Sequence, residues 1–378
     1  MTDSTTMSTS GWPSADRLKQ DERFMLEALR LARRGLGATS PNPMVGAVVV
    51  RDGAIVGQGY HHRAGEPHAE IHALDAAGSL AHGATLYCNL EPCSHTGRTG
   101  PCVERVVAAG IARVVAAVDD PNPLVRGRGI AYLRAHGVEV EVGLARRAAV
   151  RLNETFFTFA RFGRPFVTMK VALSADGRIA GANGRPVRLT SDESNARVHA
   201  LRADVDAIGV GSGTMLADDP LLTARGTART RPLVRVVFDS RLRTPPSARV
   251  FGTLEAGPVI VVTSHEAVVS DGSQVSALEA AGAVVTGTAP HDLGEALRLL
   301  AERDVTSLLL EGGATLHRTA WQASLVDRVQ VFRTPQVLGP SGLAWFASPE
   351  HLFAGMHERR REACGPDVLE EGDVHGID

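Results

Sequence analysis

Short β-rich apolar runs alternate with helix-like segments along most of this chain, and this alternation restricts the fold more than any other feature. In the first half, VGAVVV and AIVGQGY flank Asp52-Gly53, a tight-turn signal that predicts a hairpin. Helix-like HAEIHALDAAG, strand-like ATLYCNL, helix-like CVERVVAAG and strand-like RVVAAV then follow in turn. Strands that alternate with helices predict a layered α/β structure.

The second half continues the alternation without repeating the sequence. Its strand-like runs are FVTMKVAL, VDAIGVG, VRVVFD, PVIVVT, AVVT, SLLLEG and RVQVFR. Helical patterns lie between them, around 192–203, 273–282, 292–303 and 314–324. Because 378 residues exceed what one hydrophobic core usually organises, we expect two α/β domains in tandem.

Breaks in the pattern predict the domain boundaries. Residues 1–20 are polar and predict a disordered extension, and the first domain takes residues 21–146. A mostly helical connector over 147–163 ends where Pro165 interrupts it. Residues 164–378 then form the second domain.

Composition narrows the class of function. A net charge of -2 and 4% aromatic residues offer little to a nucleic acid backbone or to exposed bases. No segment approaches eighteen consecutive apolar residues and the N-terminus lacks a secretory core, so we expect a cytoplasmic protein without a membrane segment. With four cysteines in the chain, metal or redox chemistry is favoured over a disulfide scaffold.

Four residues of the first half have the chemistry of a zinc deaminase. His68, Cys93 and Cys102 supply one imidazole and two thiolates, the three protein ligands of a catalytic zinc whose fourth position is open. Glu70, two residues after the histidine, would move protons between water and a departing amine. The alternative is four residues scattered by chance in loops and around a core histidine.

The motifs PNPMVGAVVVRDG, GYHHRAGEPHAE and LEPCSHTGRTGPC together resemble the deaminase half of the bifunctional riboflavin-biosynthesis deaminase/reductase family, over about residues 21–146. Eight residues (94–101) separate the cysteines, more than in the general Cys-x-x-Cys signature, and this longer spacing is usual in that family. The resemblance implies a cytidine-deaminase-like three-layer α/β/α domain, with Asn42, His61 and Arg98 binding substrate. The alternative is structural: Asn42 would only shape a turn, His61 would only end a strand, and Arg98 would be a solvated charge in a loop.

Three motifs in the second half, MKVALSADGRIA, GSGTMLADDPLLTAR and LLLEGGATL, resemble the reductase half of the same family over about residues 164–370. The resemblance implies a dihydrofolate-reductase-like α/β fold that uses NADPH. LLLEGGATL is a buried strand, an acid and a Gly-Gly turn into a helix, and such a turn lets backbone N–H groups approach a pyrophosphate. It differs from the G-x-G-x-x-G fingerprint, so a Rossmann domain is not expected.

Lys170 is one of two lysines in a chain whose basic residues are otherwise arginines, and it lies inside an apolar strand. With Asp218 and Glu311 it forms a set of embedded charges that serves either proton transfer or a structural ion pair. By the resemblance, the residues near the cofactor are Ala172, Thr214, Asp218, Ser240, Gly312, Gly313, Ala314 and Thr315. Those near the substrate are Arg202, Leu222, Arg225 and Glu311.

One segment departs from the family pattern. Many relatives have Ser-x-Trp shortly after the Asp-Gly-Arg motif, where this chain has Pro186-Val187-Arg188, so no contacts are assigned to that segment. Ser240 and the arginines beside it in FDSRLR are candidates for the 2′-phosphate that distinguishes NADPH from NADH.

The resemblance thus implies a two-step enzyme of riboflavin biosynthesis, and we expect a homo-oligomer that acts on a small phosphorylated pyrimidine. It would use Zn²⁺ to deaminate 2,5-diamino-6-(5-phosphoribosylamino)pyrimidin-4-one and NADPH to reduce the ribosyl group, giving 5-amino-6-(5-phosphoribitylamino)uracil. One alternative is a single-activity zinc deaminase whose second half is a binding or oligomerisation module. The other is a nucleic acid deaminase, which the charge and the few aromatic residues disfavour.

Overall fold

The computed structural model describes residues 15–94, 100–123, 125–346 and 349–376. The chain divides into two compact units. The first comprises the chain up to Gly35 together with Met44–Leu152, and the second comprises Leu36–Pro43 together with the chain from Asn153 onward. Within the described ranges, no helix has both the length and the apolar character needed to cross a membrane.

The first unit contains five helices and five strands in its described part. In chain order they are α1 (Ala15–Ala32), β1 (Gly46–Arg51), β2 (Ala54–Tyr60), α2 (Ala69–Ala77), β3 (Thr85–Cys88), α3 (Cys102–Ala108), β4 (Arg113–Ala116), α4 (Arg128–Ala135), β5 (Glu139–Val142) and α5 (Arg146–Leu152). Short 3₁₀ turns follow α1 and α2 at Arg33–Gly35 and Gly78–Ala81.

The five strands form one sheet in the order β2-β1-β3-β4-β5. The predicted hairpin is present as β1 and β2, while β3, β4 and β5 run parallel to one another. Glycine permits α2 to lie directly on β2, because a Cβ at Gly57 would stand 2.2 Å from the carbonyl oxygen of Ala73. A Cβ at Gly59 would likewise stand 2.7 Å from the carbonyl oxygen of Ala69, so the close packing extends to the start of α2, where two of the predicted site residues lie.

Helix α1 begins earlier than the sequence pattern indicates. We predicted disorder through residue 20, but the helix starts at Ala15. Arg17 in its first turns lies 3.0 Å from Glu141 of β5 and 3.9 Å from the carboxylate of Asp21, so charge pairing extends the helix beyond its apolar stripe.

The helices and strands of the second unit follow from residue 154 onward. In chain order they are α6 (Glu154–Phe162), β6 (Phe166–Leu173), β7 (Arg178–Ala182), α7 (Asp192–Asp204), β8 (Ala207–Gly211), α8 (Ser212–Asp218), β9 (Val234–Phe238), a 3₁₀ segment (Arg249–Ala256), β10 (Val259–Ser264), α9 (His265–Ser270) and α10 (Gly272–Ala280). The remaining elements are β11 (Ala283–Thr288), α11 (Leu293–Ala301), β12 (Ser307–Glu311), α12 (Ala314–Gln322), β13 (Arg328–Arg333), β14 (Gly342–Ala344), α13 (Pro349–Ala354), β15 (His357–Cys364) and β16 (Asp367–Asp373).

Nine of these strands form one sheet in the order β11-β10-β9-β8-β12-β6-β13-β16-β15, and β7 pairs with β14 in a separate small sheet. The strands from β11 to β13 are parallel, whereas β16 and β15 are antiparallel additions at one edge. One face of β6 joins the main core through Val167, Met169 and Val171. The opposite face, which carries Lys170, lies under α7, because Val198 and Leu201 of α7 pack near Phe332 and Ala172.

Candidate functional site

In the first unit, three secondary-structure boundaries bring the predicted metal ligands together. His68 occupies the N-cap position of α2, Cys102 is the first residue of α3, and Cys93 lies in the loop that follows β3. The backbone N–H of Cys102 donates to the sulfur of Cys93 at 3.3 Å, which holds the second cysteine against the first.

The three donor atoms fit a zinc ion. The Nδ1 atom of His68 lies 3.4 Å from the sulfur of Cys93 and 3.3 Å from that of Cys102. All three ligand atoms lie within 4.8 Å of one another. A tetrahedral zinc with bonds of about 2.0–2.3 Å separates its nitrogen and sulfur ligands by about 3.5 Å. A donor set of one imidazole and two thiols also suits zinc chemically.

The three side chains of the candidate metal site change one another's pKa values. The Cys102 thiol and the His68 ring stabilise the Cys93 thiolate and lower its pKa to about 4. The same contact raises the pKa of Cys102, and a hydrogen bond to Cys93 raises that of His68. Negative charge therefore concentrates where the three ligand atoms meet, an arrangement that a divalent cation would neutralise.

Glu70 lies in the first turn of α2 and is 3% exposed. Burial, together with the negative charge of Cys93, raises the pKa of its carboxyl group to about 7. Its Oε2 atom is buried without a hydrogen-bond partner in the described part of the chain. A carboxyl group that titrates near neutrality and keeps one oxygen unoccupied is suited to receive and return a proton.

The three predicted substrate residues of this half have different outcomes. His61 is 1% exposed, its Nδ1 lies 3.1 Å from the carbonyl oxygen of Pro67, and its ring meets that of His68 edge to face at 5.2 Å. Asn42 lies in the segment Leu36–Pro43, which groups with the second unit. Arg98 lies outside the described residues. His61 is therefore located beside the ligand cluster, as predicted.

Sequence reasoning missed the residue that anchors the cysteine loop. Glu91, two positions before Cys93, is 4% exposed. Its carboxylate accepts hydrogen bonds from four backbone N–H groups, those of Asp120, Gly127, Gly129 and Ile130, at 2.9–3.2 Å. The acid in LEPC was a visible signal, but its partners lie about 30 to 40 residues away and no local pattern indicates them.

In the second unit, a cleft of about 1270 Å³ opens above the carboxyl ends of the parallel strands. Ligands of parallel α/β sheets usually bind outside these strand ends. Twelve of the residues predicted for this unit line the cleft: Lys170, Ala172, Arg202, Thr214, Asp218, Leu222, Ser240, Glu311, Gly312, Gly313, Ala314 and Thr315. Arg225 is exposed and instead contacts both ring nitrogens of His199.

Three charged residues form a cluster in this cleft. The register between β12 and β6 places Glu311 directly beside Lys170. Arg202, from α7, donates two hydrogen bonds of 2.8 Å to the two oxygens of Glu311. The Lys170 ammonium lies 3.8 Å from the same carboxylate, beyond hydrogen-bonding distance.

Electrostatics in this cluster favour a fixed carboxylate and a titratable lysine. Burial alone would raise the pKa of Glu311, but the charges of Lys170 and Arg202 and the Arg202 hydrogen bonds lower it to about 2. Burial lowers the pKa of Lys170 and exceeds the opposing effect of Glu311. An ammonium group that is easier to deprotonate than usual is suited to proton donation.

The Gly-Gly turn after Glu311 leads directly into α12. Gly312 and Gly313 have φ angles of 72° and 88°, a region that side chains disfavour. A Cβ on Gly312 would also stand 3.0 Å from the hydroxyl oxygen of Thr214, in the first turn of α8. The turn therefore brings bare backbone and the N-terminus of α12 to the cleft, as an anionic group requires.

A buried histidine supports this turn from behind. The indole N–H of Trp345 donates to Nδ1 of His317 at 2.9 Å, so Nε2 carries the hydrogen and donates to the carbonyl oxygen of Leu310 at 3.2 Å. Burial lowers the pKa of His317 to about 4, so the ring is neutral at physiological pH. The contact holds Leu310, the residue before Glu311 in β12, and no local sequence pattern indicates it.

The remaining predicted residues lie at the edges of the cleft. Asp218 ends α8, and burial raises the pKa of its carboxyl group. Leu222 is 2% exposed with a φ of 53°, an unfavourable angle of the kind that clusters at functional sites. Ser240 is adjacent to Arg241, and Arg243 donates to the hydroxyl of Ser212 at 2.7 Å. In the segment that departs from the family pattern, Arg188 pairs with Asp192 of α7.

Two family models match this chain, one in each half. Residues 18–118 match the cytidine and deoxycytidylate deaminase zinc-binding region, which contains His68, Glu70, Cys93 and Cys102. Residues 165–369 match the RibD C-terminal domain.

Curated relatives and solved structures cover nearly the whole chain. The chain is 43% identical to the riboflavin biosynthesis protein RibD of Aquifex aeolicus, with 84% of this chain and 88% of that protein covered. It is 40% identical to RibD of Escherichia coli, with 92% and 98% covered. The RibD structure of Acinetobacter baumannii superposes with a TM-score of 0.82 at 35% identity, covering 94% of this chain and 99% of that one. A deaminase/reductase structure from Thermotoga maritima gives a TM-score of 0.81 at 34% identity, with the same coverage.

Proposed function

Because the chain belongs to the RibD family of bifunctional riboflavin-biosynthesis deaminase/reductases, we propose that its two sites catalyse successive steps on one phosphorylated pyrimidine. The first unit would convert 2,5-diamino-6-(5-phosphoribosylamino)pyrimidin-4-one into the corresponding uracil. The second would reduce the ribosyl group to ribityl. The Thermotoga maritima structure carries a name that describes this pair of activities, as a deaminase and a 5-amino-6-(5-phosphoribosylamino)uracil reductase.

For the deamination, His68, Cys93 and Cys102 would hold the zinc ion. Bound there, zinc would supply the Lewis acidity that activates water toward the amino-bearing carbon of the pyrimidine. Glu70 takes a proton from the attacking water and delivers it to the amino group as ammonia leaves. Its pKa of about 7 lets the same carboxyl group act as base and then as acid. His61, beside His68, would contact the pyrimidine, and Asn42 and Arg98 remain predicted substrate residues.

For the reduction, the residues of the second cleft would position a nicotinamide cofactor and the sugar. The reaction breaks the bond from C1′ to the ring oxygen, adds hydride at C1′ and adds a proton to that oxygen, so one hydride and one proton are consumed. Lys170 supplies the proton to the ring oxygen, since its ammonium is held in the cleft and burial lowers its pKa. Arg202 and Glu311 orient the substrate, and Asp218 lies on the cofactor side.

We further propose that the cofactor is NADPH. The Gly312-Gly313 turn and the N-terminus of α12 would receive its pyrophosphate. Ser240, with Arg241 and Arg243 nearby in the cleft lining, offers a hydroxyl and two guanidinium groups for the 2′-phosphate. A homo-oligomeric state and a cytoplasmic location remain expectations. Analytical ultracentrifugation would test the oligomeric state.

The observation that carries the proposal is that one chain holds both a His/Cys/Cys cluster with a buried glutamate and a separate cleft with the Lys170–Glu311–Arg202 cluster. The test is mass spectrometry of the products that the purified protein forms with and without NADPH. Deamination should need zinc only, and reduction should appear only with NADPH. Glu70→Gln should abolish the first step, whereas Lys170→Met should abolish the second and leave the first intact. Deamination that is never followed by reduction would favour the single-activity alternative.

A further inference from the structure

Lys170 belongs to a row of polar side chains that crosses four strands of the large sheet. The strand register places Lys170 beside Glu311 of β12 on one side and beside Gln330 of β13 on the other. Gln330 in turn lies beside Glu371 of β16. Residues in register on neighbouring strands point to the same face, so Glu311 and Gln330 flank Lys170. Gln330 is not among the residues predicted to bind substrate or cofactor or to take part in the reaction.

The orientation of the Gln330 amide is fixed by Glu371. The Nε2 atom of Gln330 lies 2.6 Å from Oε2 of Glu371, and an ionised carboxylate can only accept a hydrogen bond. The amide nitrogen must therefore face β16. Because β16 and β6 flank β13 on opposite sides, Glu371 holds the amide nitrogen and leaves the amide oxygen available to a donor from the Lys170 side of the row.

The amide oxygen lacks a partner in the described part of the chain. Gln330 is 4% exposed, and its Oε1 atom is buried with no hydrogen bond. A buried acceptor of this kind is costly unless some donor reaches it. The nearest flexible cation in the row is the Lys170 ammonium.

Lys170 has hydrogens to give. Arg202 occupies both oxygens of Glu311 with hydrogen bonds of 2.8 Å, and the lysine nitrogen remains 3.8 Å away from that carboxylate. The ring of Phe332 also lies nearby, with its centroid 5.5 Å from the nitrogen. A four-carbon stem lets the ammonium move between the two sides of the row.

We infer that Gln330 is a positioning residue for Lys170, whose ammonium it holds by accepting one hydrogen at Oε1 while the remaining hydrogens face the cleft. Glu371 acts one step further back, by locking the amide. The inference rests on the proposed role of Lys170 as proton donor in the reduction. It extends the reductase site beyond the cleft lining to β13 and β16.

Gln330→Met tests the inference, since methionine keeps the length of the side chain and removes the amide oxygen. The kcat of the reduction should fall about tenfold or more, because a misplaced catalytic group loses rate steeply. KM for NADPH and for the sugar phosphate should stay near wild type. Deamination by the same protein is an internal control for folding. Thr168→Val is the matched control. Thr168 lies two residues before Lys170 on the same face of β6, and this substitution should leave the reduction unchanged.

A double exchange separates positioning from mere structural support. In the variant Gln330→Glu with Glu371→Gln, amide and carboxylate trade places, so an acceptor oxygen again faces Lys170 while the bond between β13 and β16 is kept. This variant should recover part of the rate lost in Gln330→Met, and the pH at which kcat declines should move upward, because a carboxylate at position 330 raises the pKa of Lys170. The inference is overturned if Gln330→Met reduces at the wild-type rate, if its defect lies in KM alone, or if the exchange neither restores any of the lost kcat nor moves its pH dependence.

Lys170→Met distinguishes this inference from the proposed function. If reduction proceeds normally in Lys170→Met, the role of the lysine is wrong and the role of Gln330 falls with it. If Lys170→Met is inactive in reduction while Gln330→Met is fully active, only the positioning role is refuted.

Discussion

Replacing Glu311 by glutamine should destabilise the second unit by an amount that the pKa of Glu311 predicts. In the folded protein that pKa is about 2, against 4.5 for an unperturbed glutamate. A shift of about 2.5 units corresponds to about 3 kcal/mol of folding free energy at neutral pH. Glu311 is 8% exposed, so little of this interaction is screened by solvent. The variant would also leave Lys170 and Arg202 facing each other without their shared anion, which is the usual cost of breaking a buried ion pair.

The pH dependence gives the sharper test. Because the folded pKa of Glu311 is depressed, its contribution is fully present above pH 4.5 and is lost as the pH falls toward 2. The difference in unfolding free energy between wild type and Glu311→Gln should therefore be constant from pH 7 to about pH 5 and narrow below that. The charge on Glu311, and not its shape, would then account for the effect.

Urea unfolding followed by tryptophan fluorescence is a suitable assay. Two of the three tryptophans, Trp321 and the completely buried Trp345, lie in the second unit, so most of the signal reports the part of the chain that contains Glu311. Asp192→Asn is the matched control, because its pair with Arg188 is solvent-exposed and its loss should cause no measurable change. A destabilisation by Glu311→Gln of less than about 1 kcal/mol at pH 7, or one that does not narrow in acid, would refute the reasoning.

Three further predictions follow from the two sites. Cys93→Ser should reduce bound zinc, measured by atomic absorption, from about one per chain to a small fraction and should abolish deamination while reduction persists. Glu91→Ala should lower the melting temperature of the first unit and slow deamination, since it removes the acceptor of four backbone N–H groups; a melting curve like that of wild type would contradict this. The kcat of reduction should decline as the pH rises through a pKa below 10.5, because Lys170 must be protonated to act and burial lowers its pKa; the decline should vanish in Lys170→Met when the residual rate is measured.

Local sequence patterns predicted most strands because each strand carries its own signal. FVTMKVAL coincides with β6, and the sequence indicated the three residues of the candidate metal site because His68, Cys93 and Cys102 occur in motifs that are recognisable residue by residue. The unpredicted strand β15 is different, since HERRREAC has too many charges to resemble a strand and depends on its pairing with β16. The short β7–β14 sheet likewise depends on a pairing between residues about 160 positions apart.

Long-range partners were the part that the sequence could not supply. Lys170 was conspicuous as a lysine in an apolar strand, but its neighbours Glu311 and Gln330 are set by the strand order β12-β6-β13. The same holds for Glu91, whose four donors come from the loop and first turn around α4. Motif reasoning finds residues that are chemically unusual where they stand, and it misses those whose role is to hold others.

Under the proposed mechanism, in which Lys170 is the proton donor, the contrast between Arg202 and Lys170 gives a reason for a lysine at this point in a chain so rich in arginine. Arg202 meets Glu311 through two parallel hydrogen bonds of 2.8 Å, a rigid arrangement that its planar guanidinium favours and from which it releases no proton. By occupying both carboxylate oxygens, it leaves the Lys170 ammonium within the field of Glu311 but without a hydrogen bond to it. The carboxylate thus keeps the lysine charged enough to be a donor, while burial keeps its pKa low enough for the proton to leave. An arginine at position 170 would be charged but could not give up a proton, and a lysine bonded directly to Glu311 would hold its proton more tightly.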